Sequence, residues 1–575
     1  QEEAGLGSPL WEALDRPVLQ LLTSSRPREQ WLGSTRGLDP LDLSLQVVMP
    51  ELDGRITTRP CGFRQLLPHR GHLATALPEL MPDQLGLDWL VRHARNWIDL
   101  RRTPENERRI ALVLANYPVR DGRLANGVGL DTPSSCLSIL QWLKQTGHDL
   151  GSTPLPEDGD ALMRMLLLGR TNTPESVSRP PLTHHPVEAY SGWWGELAES
   201  ARQPIQERWG DPEAAIDRDP EGFPVHGLRF GNVVVLIQPD RGYDPDQIRD
   251  LHSPDLPPPH RYLAQYHWLR QSHRTQVLVH VGKHGSAEWL PGKGVGLSRD
   301  CGPQLVLDAI PHLYPFIVND PGEGSQAKRR GQAVIIDHLT PPLGRAGLHG
   351  GLQQLEGLLD ELVEVRLLGG QRAALLEARI LNLLRSLDWP GLPSEAIISD
   401  DPEQLQRCLD QAETYLCELK ESQIRTGLHR FGQRPAAVAE MELLVALARP
   451  PQSGHPGLIQ ALAGRLGLGM DPWGQEDGDL LEAADRTRLA ALGCQRARRV
   501  GDACAWLEEQ ALILAGRMVG QDSPGSATLH PELSDWLAQS PTVPILSHLR
   551  DDLWTRLSRC AEAEQHAFLR AVSGQ

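Results

Sequence analysis

Four short runs of almost unbroken apolar residues stand out along the chain: "RRIALVLANYP", "GNVVVLIQP", "TQVLVHV" and "GQAVIIDHL". Runs of this length, rich in Val, Ile and Leu, predict strands buried on both faces of a parallel sheet. A further run near the start, "RPVLQLLTSS", predicts one more strand, ahead of short Pro- and Gly-punctuated elements. Between the strands the apolar spacing changes to three and four. "DTPSSCLSILQWLKQTG" predicts a helix with Thr132 as N-cap, Pro133 in the first turn and Gly147 past its end. "PPPHRYLAQYHWLRQ" predicts another. It lies between "GNVVVLIQP" and "TQVLVHV", so those two strands are expected to be parallel neighbours in a βαβ unit. From about residue 345 onward, segments such as "GLQQLEGLLDELVEVRLLGG" and "QRAALLEARILNLLRSL" have the spacing of amphipathic helices.

The expected fold class is therefore α/β: parallel-sheet α/β regions followed by a mostly α-helical region, in several domains. The expected boundaries are 1–108 for a mixed N-terminal segment, 109–345 for the α/β region and 346–575 for the helices. A length of 575 residues fits more than one core.

Composition narrows the function. A formal charge of -17 disfavours nonspecific nucleic-acid binding, which needs clustered cations against phosphates. Eight scattered cysteines form no CxxC pair, which suggests neither a disulfide framework nor a zinc finger and fits a cytoplasmic protein. No apolar stretch reaches the roughly 20 residues of a membrane span, and the first residues lack the pattern of a signal peptide. Only five lysines occur, and three of them, Lys283, Lys293 and Lys328, lie close together. That clustering suggests positions that want a compact ammonium, as anion sites do.

The candidate chemistry sits in "VHVGKHGSAEWLPGKG", where a strand runs into a glycine-bearing loop. Ligands of open α/β sheets bind beyond the carboxyl ends of strands. His280, His284 and Glu288 recur at intervals of four; imidazole and carboxylate can ligate a divalent metal and accept protons near neutral pH. His280 serves equally as a hydrogen-bonded residue closing the strand. The loop is no Walker A motif, because Lys293 is followed by Gly294 and the glycine spacing differs, and no H-E-x-x-H occurs. Downstream, "NDPGEGSQAKRRG" predicts a helix capped by Ser325 and carrying Lys328, Arg329 and Arg330. From His280 to Arg345 there are seven Lys and Arg against six Asp and Glu, an island that favours an anionic ligand in an acidic chain.

"HVGKHGSAEWLPGKGVGLS", "PHLYPFIVNDPGEGSQAKRRGQAVIIDHL", "NYPVRDGRLANGVGLDTPSS" and "DLPPPHRYLAQYHWLR" together resemble the family of large chelatase subunits, which comprises the aerobic cobaltochelatase large subunit and the H subunit of magnesium chelatase. "EWLPGK" and "NDPGEG" are similar to the cobalt branch. The resemblance implies insertion of Co2+ into hydrogenobyrinic acid a,c-diamide, in cobalamin biosynthesis, with ATP hydrolysed by separate AAA+ subunits. It implies Glu288 and His284 as catalytic proton acceptors, and His280, His284 and Glu288 as transient metal ligands. Lys283, Lys293, Lys328, Arg329 and Arg330 would face the carboxylates of the tetrapyrrole, and Glu323 is an alternative acid-base group. By the same resemblance the chain corresponds to a core piece of a protein about twice as long. The alternatives are a magnesium chelatase H subunit inserting Mg2+ into protoporphyrin IX and a tetrapyrrole carrier or sensor without catalysis.

Overall fold

The computed structural model describes residues 13–67, 77–116, 121–242, 255–342, 427–452, 454–476, 479–495, 497, 500–520 and 529–575, together with parts of 352–412. Two compact units emerge, one of residues 1–340, 429–433 and 560–575, the other of 341–428 and 434–559.

The first unit is built on strands β1 (Leu19–Ser24), β2 (Ile56–Leu67), β3 (Leu77–Pro82), β4 (Ile110–Leu114), β5 (Thr183–His185), β6 (Phe223–Val225), β7 (Gly227–Phe230), β8 (Val233–Ile237), β9 (Val277–Val281), β10 (His312–Ile317) and β11 (Val334–His338). The main sheet has the order β11-β10-β9-β4-β8-β7 and is parallel except for β7. β4, β8, β9 and β10 are buried along their whole length, which explains their unbroken apolar runs. Successive residues serve opposite cores. Ile110, Leu112 and Leu114 belong to one hydrophobic cluster, and Ala111 and Val113 to the other. A smaller sheet, β1-β2-β3, lies apart from it in sequence and pairing, and β5 pairs with β6.

The helices used below are α1 (Gln84–Arg102), α2 (Thr132–Gln145), α3 (His260–Trp268), α4 (Gly302–Leu307), α5 (Pro321–Gly331) and α6 (Cys560–Val572). α6 lies against β11, and its Phe568 meets Trp142 and Phe431 at ring separations of 6.2 and 6.1 Å. The Pro-rich stretch between Gly151 and Gly222 holds helices at Gly159–Leu168, Val187–Glu196 and Glu199–Trp209. In the second unit the described elements are helical. Val500–Val519 is its centre, against Ala437–Leu447, Leu458–Arg465 and Pro531–Ala538. "QRAALLEARILNLLRSL" forms the expected helix, Gln371–Ser386, whereas "GLQQLEGLLDELVEVRLLGG" falls largely outside the described residues.

Three expectations need correction. β8 and β9 are parallel but not adjacent, because β4 lies between them and pairs with both. Every buried parallel strand carries the same apolar pattern, so pattern yields direction and burial but not order. α2 is capped by Asp131, whose Oδ1 accepts from the Ser134 amide at 3.0 Å, and Thr132 is its first residue. α5 is capped by Asp320, which accepts from the Glu323 amide at 3.2 Å; Ser325 lies within the helix and donates to the Gly322 carbonyl at 2.7 Å.

The corrected caps have a stability consequence. Asp131→Ala is expected to lower stability by about 1 kcal/mol, read as a lower urea midpoint. Ser325→Ala should change it by less than about 0.5 kcal/mol.

Candidate active site

The site gathers where β8, β9 and β10 end. Gly282 leaves β9 at φ +86°, where a Cβ would come within 3.1 Å of Leu130 and Thr132, so only glycine turns the chain there without strain. The next residue, Lys283, turns towards the start of α5. It forms an ion pair with Asp320 and reaches Glu323 at 3.0 Å. Burial alone would lower the Lys283 pKa, but these two carboxylates outweigh it and raise the ammonium above its usual range.

His284 donates from Nδ1 to the Gly285 carbonyl at 2.6 Å, which leaves Nε2 on the side of Glu323 Oε2, 3.8 Å away. Its ring lies 5.5 Å from the Trp289 ring. Glu288 sits on a short 3-10 turn, Ala287–Trp289, and is 1% exposed. Its Oε1 accepts from the Tyr314 hydroxyl at 3.0 Å, while Oε2 has no hydrogen-bond partner among the described residues. Burial raises the Glu288 pKa; the neighbouring His284 ring and the Tyr314 hydrogen bond offset this only in part.

Beneath the loop runs a polar chain with fixed proton positions. The His312 Nδ1–H donates to the Gly331 carbonyl at 3.0 Å, so His312 Nε2 accepts from His280 Nδ1–H at 2.8 Å, and His280 Nε2 accepts from the Tyr266 hydroxyl at 2.9 Å. Burial holds His312 down at about 4 and pushes His280 well below the ordinary range, with His312 adding to the effect. Both rings are neutral. Gln238, just past β8, ties this chain to the loop: its amide nitrogen donates to Tyr266 at 2.9 Å and its oxygen accepts from the Ser286 amide at 2.9 Å. The Gly285 amide donates to the Tyr314 hydroxyl.

Two further cations hold the loop in place. Lys293 Nζ donates to the carbonyls of Trp31, Leu32 and Ser34 at 2.6, 2.9 and 2.7 Å. Arg330 donates to the carbonyls of Lys293, Glu288 and Leu290 at 3.1, 2.7 and 2.6 Å. Both residues are buried.

Of the residues singled out in the sequence, Lys283, His284, Glu288 and Glu323 come together around the loop. His280 lies below, with both ring nitrogens engaged. Lys293 and Arg330 spend their donors on backbone carbonyls. Lys328 and Arg329 occupy the last turn of α5; Arg329 pairs with Glu51 at 2.8 Å, and Lys328 helps to offset the burial that raises the Asp337 carboxyl. Sequence reading passed over Gln238, Tyr266, His312, Tyr314 and Asp320. His312 and Tyr314 stand two apart on β10, and that period of two was the available signal for a shared face. Among the described residues, ligand atoms of His184, Asp219 and Glu221 come within 4.8 Å of one another, but Arg170 already donates twice to Asp219.

The family model for CobN/Magnesium Chelatase matches residues 1–575. The chain belongs to the CobN/magnesium chelatase family. It is 44% identical over 570 residues to the aerobic cobaltochelatase subunit CobN of Pseudomonas aeruginosa, covering 98% of this chain and 44% of that protein. The H subunit of magnesium chelatase from Cereibacter sphaeroides is 30% identical over 479 residues, 79% of this chain and 38% of the relative. Among solved structures, the catalytic subunit of cobaltochelatase from Mycobacterium tuberculosis matches with a TM-score of 0.68 and 33% identity, over 98% of this chain and 45% of that one. The chain thus spans less than half the length of these relatives. The parallel sheet and helical region fit the fold of that structure.

The raised Glu288 pKa fixes a linkage sign. A carboxyl whose folded pKa lies above its unfolded value adds stability below the unfolded pKa and loses it as pH rises through the folded one. Glu288→Gln is therefore expected to raise the urea midpoint at pH 8 relative to the unsubstituted protein, with the gain vanishing near pH 4.

Proposed function

We propose that the chain is the core of the large, tetrapyrrole-binding subunit of an ATP-dependent metal chelatase, and that it inserts Co2+ into hydrogenobyrinic acid a,c-diamide. One observation carries the reading. In the loop that follows β9, residues 282–294, a signature loop by its resemblance to the chelatase family, a buried glutamate presents a carboxylate oxygen without a hydrogen-bond partner among the described residues, while its other oxygen is fixed by Tyr314. Insertion of a divalent metal replaces two ring N–H protons, so the reaction needs a base held close to the macrocycle. Glu288 Oε2 takes one proton and His284 Nε2 takes the other, or escorts the metal before it meets the ring nitrogens. Lys283 keeps the neighbouring Asp320 ionised and holds Glu323 in place, and Glu323 relays protons outward.

In this reading ATP is used by separate AAA+ subunits, and the sequence itself holds no phosphate loop. Among the described residues no helix is long and apolar enough to cross a membrane, and we assign the protein to the cytoplasm. Lys328, at the far end of α5, meets the carboxylates of the tetrapyrrole from outside the loop. The cobalt reading rests on the 44% identity to the aerobic cobaltochelatase subunit, against 30% to the magnesium chelatase relative of Cereibacter sphaeroides.

The test compares binding with turnover in one preparation. Glu288→Gln should bind the tetrapyrrole within about twofold of the unsubstituted protein, yet insert Co2+ roughly 100-fold more slowly with AAA+ subunits present. His284→Ala should fall in the same direction. Near-normal insertion by Glu288→Gln would move the base to Glu323. Tetrapyrrole binding without insertion by the unsubstituted protein would favour a carrier, and insertion of Mg2+ into protoporphyrin IX would favour the magnesium branch.

A further inference from the structure

On the side of the first unit where β10 begins, Arg59 of β2 lines two adjoining cavities of about 260 and 230 Å3, neither of which His284 or Glu288 lines. Arg59 is 6% exposed, and its guanidinium lies over the Trp89 ring, 4.9 Å from the centroid. Its Nε donates to Gln304 Oε1 at 2.8 Å, a neutral acceptor. Arg270 lines the larger cavity too. It lies over Trp193 at 5.2 Å and donates to the carbonyls of Leu305, at 3.0 Å, and Val306. Among the described residues, neither arginine has a carboxylate within 4 Å.

The carboxylate that acts most on both is Asp308, and it is already claimed. Arg92 donates to both of its oxygens, at 2.9 and 3.1 Å. Three guanidiniums thus share one carboxylate. The other acids lie further out. Asp88 and Glu196 are exposed at the rim, and Asp300 accepts from Ser200 at 3.0 Å and faces Arg299 at 3.5 Å. Asp308 has φ +44° and ψ -124°, a backbone region that suits glycine and costs an aspartate strain. Strain of this kind is kept where a side chain is needed at that point.

A buried guanidinium without a counter-charge bears an uncompensated desolvation cost, and an anion in the cavity relieves it. Burial pushes Arg59 down to about 10, in line with that shortage. Arg330 is a useful contrast, since its donors are spent on three carbonyls of the signature loop. The planar donor fork of arginine matches carboxylate and phosphate alike. We infer that this cavity is a binding site for an oxyanion, a carboxylate or a phosphate, held by Arg59 and Arg270 with Arg92 at its mouth, and separate from the proton-handling loop.

The experiment is thermal unfolding of the full 575-residue chain in sodium chloride, sodium propionate or sodium phosphate at equal ionic strength, beside calorimetric titration with the same anions. Phosphate or propionate is expected to raise Tm by about 3 °C over chloride. Arg59→Gln should abolish that difference, whereas Arg164→Gln, an exposed arginine paired with Asp158, should retain it. A response to phosphate alone identifies a phosphate site, and one to propionate alone a carboxylate site. The proposal is overturned if the unsubstituted chain shows neither heat nor an anion-specific shift, or if Arg59→Gln responds as it does. Should Arg59→Gln not fold, Arg270→Gln is read in the same way, and an undiminished response there overturns the proposal equally.

Discussion

The structure around the candidate site depends on how buried backbone carbonyls are satisfied. The signature loop leaves β9 as an irregular chain in which a single 3-10 turn, Ala287–Trp289, occupies only some of the carbonyl oxygens, and it is covered by other parts of the unit. Unpaired carbonyls there would each cost on the order of 1–3 kcal/mol. Two buried cations prevent this. Lys293 satisfies three carbonyls of the 31–34 segment, and Arg330 satisfies three of the loop itself. One pair of side chains therefore ties together the N-terminal segment, the signature loop and α5.

That rigidity sets the chemistry. Because the loop is fixed from outside by cations and from beneath by Gln238 and Tyr314, Glu288 is held in a buried place where its charge is disfavoured. The histidines below are neutral, and burial keeps the Tyr266 and Tyr314 hydroxyls protonated as donors. Charge is concentrated instead at the mouth, where Lys283 faces Asp320 and Glu323. A proton acceptor inside and an ion-pair cluster outside is the arrangement on which the proposed proton removal rests.

Much of this was legible in the sequence. The apolar runs marked β4, β8 and β9 because strands buried on both faces admit little else, β11 at the sheet edge is only partly buried yet kept its Val and Ile run, and the glycines of "VGKHGSAEWLPGKG" marked a loop at a strand end. Strand order was not legible, since β4 carries the same pattern as its neighbours. Nor was the division of labour among the cations. Lys283, Lys293 and Lys328 look alike in sequence, yet one sits in an ion-pair cluster, one on three carbonyls and one at the far end of α5. The clustering did point to positions that use an ammonium, and at Lys293 three converging carbonyls supply the reason. Gln238 and Tyr314 were missed because each lies about 26 or more residues from the atom it holds, and local pattern does not report such distances.

By holding these carbonyls, Lys293 and Arg330 keep the signature loop rigid. Hydrogen exchange at the amides of Gly285 and Ser286, which donate to Tyr314 and Gln238, tests it most directly. In the unsubstituted protein these amides should be protected. In Lys293→Met they should exchange roughly 10-fold faster or more, while the amides of β4 and β9 keep their protection. Rapid exchange at Gly285 and Ser286 in the unsubstituted protein, or unchanged protection in Lys293→Met, would mean that the two cations do not fix the loop.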